Sequence, residues 1–141
     1  MAEYSYVLSQ TVEADENLIF NNGDRACRKR LIEHRNDSGI FTLRGCSGGC
    51  RALYAVTFTG NIAIAAGGTV EPISVAISYN GEALRNATAV VSPAAAESFF
   101  NVSITTFVEV PCGCCVSVAV ENVSAIAIDV TNANIIFERI A

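Results

Sequence analysis

The sequence is short of charged residues for a chain of its length. They make up 16% of its 141 residues, whereas ordinary soluble domains hold about 25%. Hydrophobic residues make up 51%, so the chain is expected to have more apolar surface than its own core can hide. The length predicts a single domain over residues 1–141. The composition predicts that this domain forms a homo-oligomer with large apolar interfaces.

Positive charge is scarce as well, and this disfavours one class of partner. The formal net charge is −5 at pH 7, whereas a nucleic-acid binder needs cationic side chains to neutralise phosphates. We therefore expect no nucleic-acid partner. A local basic group is interpreted as a solvated or interface face rather than an anion-binding patch; it consists of Arg25, Arg28, Lys29, Arg30 and Arg35.

Long hydrophobic runs and secretion signals are also missing. Polar or small residues interrupt even the most apolar stretches, whereas a membrane helix needs about 18 continuous apolar residues. Residues 1–12 carry no basic region of the kind that opens a signal peptide. We expect no membrane insertion, and we expect an external location to be reached by packaging on a virion, deposition on a spore or release by lysis.

No segment of ten or more residues has the 3.6-residue period of a helix. Apolar and β-branched residues alternate with polar ones instead, which predicts strands at 3–12, 18–20, 40–43, 51–59 continuing towards 68, 73–79, 82–91, 99–110, 115–121 and 135–140, with a further alternation at 126–130. Turns are predicted at 13–17 and 21–24, and a polar loop at 25–38. Asn80-Gly81 predicts a type I′ hairpin, because both central residues of that turn need positive φ. Nine or ten short strands indicate an antiparallel two-sheet sandwich or jelly roll.

Groups that could carry catalysis are few. A nucleophilic cysteine needs a nearby base, and nothing in the sequence brings His34, the sole histidine, to a cysteine. We interpret His34 as a surface residue. Glu13, Asp15 and Glu16 form an acidic run that could bind calcium, although a solvated turn is the favoured interpretation. We predict that the protein is not an enzyme and has no catalytic or cofactor-binding residues.

Five of the six cysteines lie in two Gly-rich segments between predicted strands. One segment is Gly45-Cys46-Ser47-Gly48-Gly49-Cys50 and the other is Cys112-Gly113-Cys114-Cys115; the sixth cysteine is Cys27. Cysteines at such spacing form crosslinks or bind a metal more often than they serve packing alone.

Three interpretations of the cysteines stay open. Disulfides would stabilise the fold by about 2–4 kcal/mol, and the candidates are Cys27, Cys46, Cys50, Cys112, Cys114 and Cys115. A structural zinc ion could take four thiolates, from Cys46, Cys50, Cys112 and Cys114, although neither segment has the usual Cys-x2-Cys spacing. Free thiols in tight turns are the third interpretation, and the sequence does not choose among the possible pairings.

Several stretches together resemble a known family. They are the Tyr4-Ser5-Tyr6 strand, Leu53-Tyr54-Ala55-Val56, the hairpin Ile77-Ser78-Tyr79-Asn80-Gly81-Glu82, the long strand 99–110, and Ala133-Asn134-Ile135-Ile136-Phe137. In these stretches the chain resembles the complement C1q/tumour-necrosis-factor-like jelly roll, in the bacterial and phage branch that often caps collagen-like fibres. It departs from that pattern in having no Gly-X-Y segment and in its cysteine segments, to which no site can be transferred.

The resemblance implies a ten-stranded, two-sheet jelly roll that forms a tight homotrimer, lined with aliphatic and aromatic side chains on its interior faces and threefold axis. It also implies that strand 51–60 pairs antiparallel with strand 99–110, which would bring segments 45–50 and 111–115 together.

The function that follows as an expectation is a non-enzymatic structural or adhesive role in an external assembly. A phage virion is the first choice, as a head fibre, decoration or tail-tip protein, and a bacterial or spore surface is the second. The alternative is a module that binds a glycan or receptor on a host surface, although the two cysteine segments contain no aromatic residue.

Overall fold

The computed structural model describes residues 2–25, 31–45, 51–111 and 115–140. These residues form eleven β-strands and no helix. In chain order the strands are β1 Ala2–Tyr6, β2 Gln10–Val12, β3 Asn21–Arg25, β4 Ile32–His34, β5 Phe41–Arg44, β6 Ala52–Ile64, β7 Ile73–Tyr79, β8 Glu82–Val91, β9 Phe100–Val110, β10 Cys115–Asn122 and β11 Ile128–Arg139. The prediction of an all-β fold is confirmed for these residues.

The strands form two antiparallel sheets. The six-stranded sheet has the order β3-β1-β11-β6-β9, with β2 also pairing to β11, and the five-stranded sheet has the order β4-β5-β10-β7-β8. Without the short strands β2, β3 and β4, eight strands remain and can be numbered one to eight in chain order. In that numbering the first sheet has the order 1-8-3-6 and the second has the order 2-7-4-5. This order is consistent with the predicted jelly roll.

A period of two residues decides which side chains of the long strands enter the core. Along β6 and β9 buried residues alternate with more exposed ones, because successive side chains of a strand point to opposite faces of the sheet. The two strands pair without interruption from Ala52 opposite Val110 to Ile62 opposite Phe100. The predicted antiparallel pairing of these two stretches is therefore confirmed.

The predicted Asn80-Gly81 hairpin is also confirmed, and it is attached to a third strand. Asn80 and Gly81 have φ angles of 50° and 84°, in the left-handed region that this turn requires. The Oδ1 of Asn80 accepts a hydrogen bond from the backbone N–H of Ser117 at 2.9 Å. The β7–β8 turn is thereby held against β10.

The single strand predicted over 3–12 is wrong, because the structure has two strands there. β1 and β2 pair with different parts of β11, and β11 is irregular between Thr131 and Asn134. An extra residue in one strand bends it and interrupts the ladder. At the same level the chain between β1 and β2 leaves the sheet, with Val7 and Leu8 both 66% exposed. The separately predicted segments 126–130 and 135–140 are joined across this bulge into β11.

The predictions around residues 18–38 are partly wrong. The turn expected at 21–24 lies in strand β3, which pairs with β1, and β4 lies within the expected loop at 25–38. The strand expected at 18–20 contributes only an isolated bridge between Phe20 and Ser38. Both β3 and β4 are edge strands, and an edge strand with a solvated side does not need the apolar alternation that reveals a central one.

The core between the sheets is centred on aromatic rings. The ring of Phe41 lies 4.9 Å from those of Tyr4 and Phe137 and 5.5 Å from that of Phe20. Buried aromatic side chains each remove about 150–250 Å² from water. The later strands contribute apolar side chains that are almost fully buried: Val116, Val118, Val120, Ile128 and Val130.

One fully buried polar side chain ties three parts of the chain together. The Nδ2 of Asn122 lies 3.0, 3.2 and 3.0 Å from the carbonyl oxygens of Val12, Glu13 and Ile126, and its two N–H groups donate to these three acceptors with one N–H shared. Its Oδ1 accepts the backbone N–H of Ser124 at 3.0 Å. Buried carbonyl and amide groups need such partners, so Asn122 fixes the crossing of the chain beyond β2 and the turn between β10 and β11.

We expect Asn122→Ala to lower the free energy of unfolding by about 2–4 kcal/mol, because it leaves buried carbonyl groups unsatisfied. Asn86→Ala, at an exposed position of β8, is the control and is expected to change stability by less than about 0.5 kcal/mol. Urea unfolding followed by circular dichroism measures both. Equal losses in the two variants would contradict the role given to Asn122.

We expect Val118→Asp to lower stability by about 3–5 kcal/mol or to prevent folding, because it places an unpaired charge in the core. Val118 is 1% exposed, whereas Val70 is 54% exposed, so Val70→Asp is the matched control and should melt close to the wild type. A Val118→Asp variant with an unchanged melting curve would show that the inward face of β10 is misassigned.

Candidate functional site

The strand ends that flank the two cysteine segments lie together at one end of the sandwich. Arg44, at the end of β5, pairs with Cys115, at the start of β10, and Ala52 pairs with Val110. The Tyr54 hydroxyl donates to the Arg44 carbonyl at 2.7 Å, which joins the two sheets at this level. We call this the cysteine end. The arrangement of its strands agrees with the convergence that the family resemblance implied.

The cysteine chemistry itself stays a prediction. Cys115 is exposed on β10, and the other candidates lie outside the described residues: Cys27, Cys46, Cys50, Cys112 and Cys114. The backbone N–H of Arg44 bonds to the carbonyl of Leu31 at 2.7 Å, so the described chain just after the Cys27 segment also reaches the cysteine end. The disulfide and zinc interpretations are both compatible with this placement of the flanking residues.

Two ion pairs and a second tyrosine hydroxyl fasten the cysteine end. Arg44 bridges to Glu33 at 3.1 Å and Arg51 bridges to Glu109 at 3.0 Å, all four side chains being about half exposed or more. Exposed pairs of this kind contribute at most about 1 kcal/mol. The hydroxyl of Tyr79 donates to the carbonyl of Glu109 at 3.2 Å. The strand ends beside the cysteine segments are thus held chiefly by β-pairing and tyrosine hydroxyls rather than by charge.

His34 is half-buried, whereas the sequence predicted a surface residue. Its ring stacks on Phe41 at 4.3 Å and lies 4.9 Å from the ring of Tyr4. Its Nε2–H donates to the Ser38 carbonyl at 2.7 Å. Burial lowers the pKa of His34 and outweighs the Ser38 hydrogen bond and the Asp37 carboxylate, which both raise it. This geometry assigns His34 a packing role at the edge of the core.

We expect this lowered pKa to make the fold less stable as the solution is acidified. The unfolded chain takes up a proton at His34 near a pH of about 6.5, but the folded chain does so only at lower pH. Stability therefore falls as the pH drops below that value. His34→Gln should remove this contribution, so unfolding curves at about pH 8 and about pH 5 should differ less in the variant. Identical pH dependence in both proteins would contradict it.

The grooves formed by described residues are shallow. One of about 200 Å³ lies along β10 and is lined by Asp15, Asn17, Ile40, Ser78, Gly81, Ser117, Val118, Ala119 and Glu121. Burial and the Asp15 carboxylate raise the pKa of Glu121. Glu13, Asp15 and Glu16 are exposed, and within the described ranges no three His, Cys, Asp or Glu side chains are grouped to hold a metal ion. The groove offers two carboxylates without an adjacent basic group among its lining residues.

The outward face of the six-stranded sheet has a different character. The outward residues of β6 from Leu53 to Asn61 and of β9 from Asn101 to Phe107 include no charged residue. We call this part the uncharged strip, and it lies on the edge strand and its neighbour. The charged outward side chains lie on β1 and β11 or at the end of β9: Glu3, Glu109, Asp129 and Glu138. The solvated face of an antiparallel sheet is typically polar, and this part of it is polar or apolar without formal charge.

The uncharged strip is apolar towards the cysteine end and polar away from it. Phe107 is 64% exposed and pairs with Ala55. Leu53 is the next outward residue of β6 towards the cysteine end. Farther along, the Thr57 and Thr105 hydroxyls lie 3.3 Å apart and the Nδ2 of Asn101 donates to the Oδ1 of Asn61 at 3.1 Å. The strip can therefore supply both apolar contact and directed hydrogen bonds to a second surface.

The strip ends at β9, the last strand of its sheet. β9 carries no Lys, Arg or Pro, but it does carry Glu109, and β8 of the other sheet lies beside it. Charged side chains and covering segments are among the means by which proteins keep an edge strand from pairing with another chain. The composition predicts apolar interfaces without locating them, and their position stays a prediction. The alternation over 53–61 and 101–107 is visible in the sequence, but only the structure shows which of its residues face outward.

No protein-family model matches this chain, and no curated protein shows significant similarity to it. In the parts of the chain that the structure describes, no helix is both long and apolar enough to cross a membrane.

Proposed function

We propose that the protein is a non-enzymatic structural protein that associates with copies of itself through the uncharged strip. The observation that carries this proposal is Phe107, a large apolar side chain left 64% exposed on the outward face of the edge strand β9. Burial of such aromatic anchors dominates the energy of most protein interfaces. The scarcity of charge in the whole chain supports the same conclusion.

The proposed assembly is a homotrimer of the C1q/tumour-necrosis-factor-like type. The order of the eight longer strands is compatible with this family, and the threefold arrangement rests on the family resemblance. A flat, uncharged surface suits such an assembly because two chains of net charge −5 repel unless they meet away from their carboxylates.

The proposed setting is an external assembly. A phage virion is preferred, where the protein would be a head fibre, decoration or tail-tip component, and a bacterial or spore surface is second. These placements rest on the resemblance. The cysteine end fits them, because crosslinks or a zinc ion between its strand ends would resist heat, proteases and shear.

We expect Phe107→Lys to weaken self-association at least about 30-fold, the loss expected when a main aromatic contact of an interface is removed. The fold should be retained, because Phe107 points away from the core. Val70→Lys, at an exposed valine outside the strip, is the control and should assemble like the wild type. Analytical ultracentrifugation over a micromolar concentration series measures both variants. A monomeric wild type, or a Phe107→Lys variant that assembles normally, would contradict the proposal.

Native mass spectrometry without reductant or chelator would settle the state of the cysteines in the same sample. A trimer lighter by about 2 Da for each disulfide formed would support a crosslinked external protein. A trimer heavier by one zinc ion per chain would favour the metal interpretation and weaken the external placement.

A second candidate function is supported by one feature at the opposite end of the sandwich. Phe99 and Phe100 are 45% and 40% exposed, and Phe100 pairs with Ile62, far from the cysteine end. An exposed aromatic ring can stack on the apolar face of a ligand, so this end could contact a host glycan or receptor. Binding of the trimer to cells or immobilised glycans that is lost in a Phe99→Ser/Phe100→Ser variant would favour this function.

A further inference from the structure

We infer that the Asn61–Asn101 pair determines the alignment in which two copies of the chain associate. This inference rests on the proposed function, because it concerns the same uncharged strip. The pair lies on two adjacent strands with its amides joined at 3.1 Å. It occupies the polar part of the strip, away from Phe107, and one carboxamide is half-buried while the other is exposed.

The pair has unused hydrogen-bonding capacity. Only one N–H of one amide and one carbonyl oxygen of the other are used in their mutual bond, and the described residues supply no other side-chain hydrogen bond to either. A carboxamide has two N–H donors and a carbonyl with two lone pairs. The pair as a whole therefore offers a donor group and an acceptor group to whatever covers it.

Those groups make the pair self-complementary. The free N–H of a pair in one copy can bond to the free carbonyl oxygen of the same pair in another copy, and the same exchange can continue around a ring. A buried amide without a partner costs free energy comparable to a lost hydrogen bond. An alignment that buries the pair against apolar surface is therefore less stable than an alignment that brings the pairs of two copies together.

The apolar part of the strip lacks this selectivity. Contacts of Phe107, Ala55 and Leu53 are non-directional, so they would stabilise several alignments almost equally. The strip itself carries no charged residue, so two copies of this acidic chain can meet there without burying like charges; the carboxylates of Glu3, Asp129 and Glu138 lie on the neighbouring strands β1 and β11. A single buried asparagine is known to select one alignment and one oligomeric state among apolar contacts, at a cost in stability.

The test replaces both asparagines by valine, which suits a strand. We expect Asn61→Val/Asn101→Val to remain folded and associated but to lose its single oligomeric mass, giving two or more oligomeric species by native mass spectrometry. Thr57→Val/Thr105→Val is the matched control on the same two strands and should keep one species. A single unchanged species in the asparagine variant would overturn this inference and leave the proposed function intact.

A second variant tests the same inference even if the double valine variant precipitates. Asn101→Asp introduces one charge at an exposed position, which the isolated chain should tolerate, but that charge would be buried on association. We expect it to dissociate the assembly at micromolar concentration. The control is Asn80→Asp, at the hairpin turn where the side-chain Oδ1 only accepts a hydrogen bond. This variant should not dissociate the assembly. Normal assembly of Asn101→Asp would overturn the inference, and a monomeric wild type would overturn both it and the proposed function.

Discussion

The pairing of β6 with its two neighbours is the constraint on which the rest of the structure depends. β6 pairs with β9 from Ala52 to Ile62 and with β11 on its other side. A shift of one residue would turn every inward side chain to the outside. This pairing therefore decides both the core, through residues such as Phe58, and the uncharged strip on the opposite face.

The same pairing positions the cysteine end. Because β6 and β9 run antiparallel, the start of one lies beside the end of the other, and the chain enters β6 from the first cysteine segment and leaves β9 into the second. Buried polar contacts such as those of Asn122 then hold the opposite end, where the chain crosses between sheets. The two ends are thus stabilised by different means.

Electrostatics has a permissive role in this protein. The few exposed ion pairs add little stability, and the carboxylates lie mostly at turns and sheet margins. On the six-stranded sheet they lie on β1, on β11 and at the end of β9, which leaves the uncharged strip without them. A chain with a net negative charge can then bring identical faces together without burying like charges.

The sequence by itself determined the all-β class, the long strands β6 to β10 and the Asn80-Gly81 hairpin. These features follow from period-two alternation and turn chemistry, which are local properties of the sequence. The low charge also predicts apolar interfaces without placing them.

The tertiary structure decided what depends on partners distant in the chain. The division of 3–12 into two strands follows from a bulge in β11, and polar edge strand β3 exists because β1 lies beside it. His34 is half-buried because Tyr4 and Phe41 pack against it. The juxtaposition of Asn61 with Asn101, forty residues apart, arises only from strand pairing, since no local pattern records which residue lies opposite another across a sheet.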